Sequence, residues 1–164
     1  MEDNTIVAPN KPRILVLGYG NPAREDDGLG PMVVAEIERL ALPNVVTYDN
    51  YQLVVEDAFD IAKADIVWFV DAARNGPEPF EIRALMPASE ISLTSHSVTP
   101  EVLLALSQRY CGKAPIAYLI GIRGYAFEFA EGLSKQAETN LCRALTHLIE
   151  VIRNTLGLSI EPAQ

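Results

Sequence analysis

Arg13-Ile14-Leu15-Val16-Leu17-Gly18-Tyr19-Gly20-Asn21-Pro22-Ala23-Arg24-Glu25-Asp26-Asp27-Gly28-Leu29-Gly30 is the stretch from which the fold is read. Its first part, Arg13–Leu17, is a β-branched and leucine run that ends at a glycine, the pattern of a strand covered on both faces. From Leu29 to Leu40 the apolar residues fall at Met32/Val33, Ile37 and Leu40, which is helical spacing. Pro31 suits the first turn of that helix, where its missing N–H removes no hydrogen bond. A buried strand, a glycine turn and a helix in this order open an α/β fold.

Working outward, Asn44–Tyr48 reads as a second strand and Leu53–Ala62 as a helix. Ile66–Val70 is a solid apolar run, expected in a central parallel strand, and it stops at Asp71. The segment 72–79 contains Gly76, Pro77 and Pro79 and is too broken for a crossover helix. Phe80–Leu85 alternates apolar and charged residues, so an antiparallel edge strand is expected there. An irregular loop, 86–98, precedes a helix capped by Thr99 with Pro100 at its first position and Val102, Leu103 and Leu106 inward. Ile116–Ile122 is the last strand and Leu133–Leu156 a long closing helix. The expectation is an α/β fold: a three-layer α/β/α sandwich around a twisted, mostly parallel five-stranded sheet with one antiparallel strand. One domain spans 13–156, with flexible segments expected at 1–12 and 157–164.

Gly18-Tyr19-Gly20-Asn21-Pro22-Ala23 fits the G-x-G-x-x-A turn of dinucleotide-binding proteins. The next residues oppose that reading. Glu25, Asp26 and Asp27 place three acids where a pyrophosphate would sit. At ~5 Å and an effective dielectric of ~20, each unit of like charge costs roughly 3 kcal/mol. The second-strand acid, Asp49, is further from the glycines than the usual ribose contact about 20 residues on. A plain tight turn explains the glycines but not the acid triplet, because adjacent acids are better tolerated where a cation or hydrogen-bond donors compensate them.

The 164-residue chain is 49% apolar and carries a formal net charge of −9. That balance disfavours nucleic acid, which needs a basic footprint, and a polybasic membrane anchor. Cys111 and Cys142 form no CxxC or Cys/His pattern, and Cys142 reads as a buried helix residue. Residues 1–12 lack the features of a signal peptide, and no apolar run is long enough to span a bilayer, so a cytoplasmic protein is expected.

Three residues from separate places are candidate metal ligands. Asp71 ends the most buried strand, at the rim where α/β proteins place their sites, though a turn cap would also explain an acid there. Asp27 follows the first strand and belongs to the same rim if both strands are parallel. His96 lies in Thr94-Ser95-His96-Ser97, just before the Thr99 helix, and taken alone fits a surface histidine as well as a ligand. His147 reads as a partly exposed residue of the closing helix. Two carboxylates and an imidazole from three loops make an open divalent-metal site if they converge.

The same residues carry a family likeness. Gly18-Tyr19-Gly20-Asn21 followed by Asp26-Asp27-Gly28-Leu29-Gly30 resembles the opening of the hydrogenase maturation proteases. Val70-Asp71-Ala72, Thr94-Ser95-His96 with Val102-Leu103-Leu104, Ile120-Gly121-Ile122 and Gly132-Leu133-Ser134 resemble its later landmarks, in order, from about Arg13 to Arg153. Arg123-Gly124-Tyr125 departs from it, since the family often has a proline-containing stretch there. Tyr51-Gln52-Leu53 looks like the subgroup serving soluble, cofactor-reducing hydrogenases. The resemblance implies an endopeptidase that removes the C-terminal extension from the nickel-loaded large-subunit precursor of a nickel–iron hydrogenase. It implies that Asp27, Asp71 and His96 bind the nickel carried by that substrate, with no nucleotide involved. Another metal-dependent peptidase on the same fold and a non-catalytic nickel- or nucleotide-binding module remain alternatives.

Overall fold

The computed structural model describes residues 8–91 and 98–159. Four strands run parallel: β1 (Ile14–Tyr19), β2 (Val45–Asn50), β3 (Ile66–Ala73) and β5 (Ile116–Arg123). The fifth, β4 (Phe80–Leu85), pairs antiparallel with β5, and the order across the sheet is β2-β1-β3-β5-β4. The expected antiparallel strand is therefore found, at the sheet edge.

Side-chain alternation divides the core in two. Ile14, Val16, Trp68, Val70, Ile120 and Ile122 face one layer, formed by α1 (Leu29–Arg39) and α4 (Lys135–Leu156). Leu15, Leu17, Val67, Phe69 and Ala117 face the other, formed by α2 (Asp57–Lys63) and α3 (Pro100–Cys111). Period-two strands with both faces apolar can only be satisfied between two such layers, which is why β1 and β3 read as unbroken hydrophobic runs.

Helix ends follow local chemistry. Thr99 caps α3 by accepting the Val102 N–H, and Pro100 occupies its first turn, as expected. Ser134 caps α4 through the Ala137 N–H, so that helix starts at Lys135 and not at Leu133. The helix expected from Leu53 begins only at Asp57. Its carboxylate reaches back to the Val54 N–H and accepts from the Asn50 side chain, holding residues 53–56 in a turn. Cys142, expected to be buried, is exposed on α4, as is His147, whose ring packs on Phe80. Asn44 ties the chain at Ala8 and Lys11 to the start of β2. Among the described residues no helix is long and apolar enough to cross a membrane.

Candidate active site at the split between β1 and β3

Every parallel strand runs further toward its C-terminal end than the apolar runs suggest. β3 continues past Asp71 to Ala73 because β5 pairs alongside it, Asp71 with Gly121 and Ala73 with Arg123. On the other side the pairing stops at Val70 with Gly18, where β1 turns away through Gly20. Asp71 thus sits where one side of its strand loses its neighbour. From here the chain leaves β1 toward β2, and leaves β3 toward β4 and β5. A crevice opens at such a switch of direction.

The loop after β1 is shaped by close approaches. Gly20 has φ +140°, and a Cβ there would lie 2.0 Å from the Asp27 carbonyl oxygen. A Cβ on Gly30 would lie 2.6 Å from both the Tyr19 and the Val70 carbonyl oxygens. These glycines bring the first turn of α1 down onto the ends of β1 and β3. That packing accounts for them without a nucleotide.

The three adjacent acids have three different fates. Glu25 accepts the Glu128 N–H. Asp26 is fully buried and accepts from the backbone N–H groups of Tyr125, Ala126 and Ser134 and from the Ser134 hydroxyl. Burial alone would raise its pKa, but those donors outweigh it and hold the carboxyl below its ordinary value. Asp27 is partly exposed, and its Oδ2 accepts the Asn21 N–H at 2.8 Å. The donors that compensate the triplet therefore belong to the fold at Asp26, leaving Asp27 partly exposed with one backbone donor.

Asp71 is treated differently. Its Oδ1 accepts the Ala72 N–H at 2.8 Å, and the Tyr19 hydroxyl lies within hydrogen-bonding reach of the carboxylate. These donors are too few. Burial, reinforced by the nearby Asp27 charge, pushes Asp71 up to about 7. Tyr19 is raised above the usual phenol value by burial and by the charges of Asp71 and Glu101, so it stays a neutral donor. Two carboxylates close enough to feel each other, one of them poorly solvated, make a place where a cation is favoured.

Asp27 lies near enough to Asp71 for its charge to raise it. His96 lies outside the described residues. Among the described residues no group of three or more His, Cys, Asp or Glu side chains could hold a metal ion. Val98 and Ile91 pack against the same core layer as Tyr19, and α3 begins beside it with Glu101 close enough to act on the phenol. Asp26 and Tyr19 were not singled out from the sequence. Their partners lie about a hundred and about fifty residues away, and no local pattern signals such pairings.

No protein-family model matches the chain, and no curated protein does. Solved structures do. The hydrogenase maturating endopeptidase HybD from E. coli is similar at 25% identity and a TM-score of 0.65, over 87% of this chain and 93% of that one. The [NiFe] hydrogenase maturation protease HycI from Thermococcus kodakarensis is similar at 26% and 0.66, over 89% and 96%. An endopeptidase from Escherichia coli, known in solution, is similar at 26% and 0.67, over 87% and 93%.

Proposed function

We propose, for a chain that resembles the hydrogenase maturation proteases along most of its length and is a peptidase, that it removes the C-terminal extension from the nickel-loaded large-subunit precursor of a nickel–iron hydrogenase. Asp27, Asp71 and His96 complete the coordination of the substrate's nickel and so couple cleavage to metal loading. The carrying observation is that Asp71, where β1 and β3 part, is short of donors and feels the Asp27 charge, which together with burial raises it to about 7. A carboxylate so short of donors gains most from a cation, and Ni(II) accepts both carboxylate and imidazole ligands.

Val98, which follows the Thr94-Ser95-His96-Ser97 segment in the sequence, packs on the layer that carries Tyr19. The Asn21 N–H in the glycine turn is engaged by Asp27 itself, which supports a reading without nucleotide. In the complex, Tyr19 and the Ala72 N–H orient Asp71 while Asn21 orients Asp27, leaving their remaining lone pairs for the ion. A nickel held there would polarise the scissile carbonyl or lower the pKa of a water.

The test is mass spectrometry of the large subunit's C-terminus. Nickel-loaded precursor is expected to be shortened by the native protein, and left intact by Asp71→Ala and His96→Ala. Nickel-free precursor is expected to stay intact throughout. Full cleavage by both variants would remove the site, and no cleavage by the native protein would remove the activity.

A further inference from the structure

The loop between β5 and α4, residues 124–134, is held to the three residues just before Asp27 with unusual density. Asp26 binds Tyr125, Ala126 and Ser134, and its own N–H donates to the Ala126 carbonyl. Glu25 donates its N–H to Ala130 and accepts from Glu128, and Arg24 Nη2 donates to the Phe127 carbonyl at 3.2 Å. A loop fixed in this way has already lost its conformational entropy on folding. It nonetheless presents Phe129 to solvent at 81% exposure, with the Arg24 guanidinium 4.9 Å from its ring centroid. In the same loop, the Phe127 ring carries the exposed Arg74 guanidinium at 4.0 Å.

Neither Arg24 nor Arg74 pairs with a carboxylate among the described residues, and Arg24 Nε is buried without a partner. Arg109 over Tyr110 and Arg123 over Tyr125 form similar pairs, but Arg24 and Arg74 are the two whose rings, Phe129 and Phe127, belong to the loop that Asp26 anchors. Rigid aromatic and arginine side chains at a rim are the composition of interface hot spots, where prior ordering lowers the cost of association. Glu128 and Glu131 are also exposed in this loop, so the patch is mixed in charge. That composition suits a folded protein face better than a small anionic ligand.

We propose that Phe129, with Arg24 and Arg74, is the surface that docks the protein substrate, inserting Phe129 into an apolar socket bordered by carboxylates. The inference rests on the processing reading and adds where the precursor is gripped. Because Asp26 anchors the loop and Asp27 follows it in the chain, docking here sets the substrate in register with the carboxylate pair.

Steady-state processing of nickel-loaded precursor tests this. Phe129→Ala is expected to raise KM about 30-fold with kcat at saturation unchanged. Arg74→Ala should raise KM by less, and Phe129→Leu should recover most of the loss. The melting temperature of Phe129→Ala should equal that of the native protein, since the ring is exposed. A native KM in Phe129→Ala, with the native protein still cleaving, overturns the docking surface alone. A native protein that neither binds nor cleaves the precursor overturns this surface and the processing reading together.

Discussion

Asp26 and Asp71 are two acids of the same rim, and the fold deals with them in opposite ways. Asp26 has no exposed surface and four donors, three N–H groups and a hydroxyl, drawn from the loop after β5. Asp71 has its neighbour's N–H, the reach of one phenol, and another carboxylate nearby. The first has its charge stabilised within the fold and serves as a structural clamp. The second is under-compensated, and that shortfall is what a substrate cation would relieve. What separates structure from function here is therefore the supply of hydrogen-bond donors. Both are shielded from water, Asp26 fully and Asp71 in part.

The largest effect should come from removing the under-compensated acid. Asp71→Asn is expected to lower processing by more than the ~10–100-fold typical of losing a group that only supports a metal ligand. It should not lower the melting temperature, because the charge it removes is poorly solvated. A variant that melts well below the native protein would make Asp71 a structural acid like Asp26.

Asp26→Ala should invert that pattern. It strands buried N–H groups in place of a charge-assisted cluster, and roughly 3 kcal/mol or more of stability should be lost in denaturant titration. Processing should fall through unfolding and through a loosened docking loop. A loss under ~1 kcal/mol would mean that water replaces the carboxylate.

The pH dependence sharpens the contrast, since the two shifts have opposite sign. Asp26, held below its ordinary value, contributes stability that is present above the unfolded carboxyl pKa, ~3.9, and lost as pH falls through its lower folded value. Asp71, raised to about 7, contributes stability that is fully present below ~3.9 and lost as pH rises through about 7. Between these limits the native metal-free protein should lose more stability with rising pH than Asp71→Asn, in which the raised Asp57 still contributes. Unfolding free energies across pH 4–8 for both proteins would show it; parallel curves would remove the raised Asp71.

The smallest effect belongs to the helix that follows the histidine loop. Thr99→Ala removes the side-chain acceptor for Val102 and should cost ~1 kcal/mol in thermal or denaturant unfolding. Any fall in processing beyond that would tie the start of α3 to the catalytic rim more tightly than to the core.

The sheet was readable because its evidence is local. The runs at 13–17 and 66–70, the alternation at 80–85 and the Thr99-Pro100 pair each announce an element within a few residues, and each is found. Where the reading missed, side chains intervened. Asp57 delays α2 by reaching back to Val54, a polar competition that apolar spacing does not register. Cys142 lies on the exposed side of α4, since composition says nothing of which way a helix is rotated. Asp27 and Asp71 became candidates from their places after parallel strands, whereas His96 lies outside the described residues.

By itself, then, the chain's order of apolar runs, glycines and caps determined a doubly covered sheet and the rim on which its acids lie. Those signals depend on neighbours within a turn or two. Only the tertiary structure decided which acid became clamp and which was left short of donors. That choice depends on donors supplied by Tyr125, Ala126 and Ser134 to one and by Tyr19 to the other. Those donors reach the rim only after the sheet has brought distant strands side by side, so the charge of each carboxylate is a property of the assembled fold.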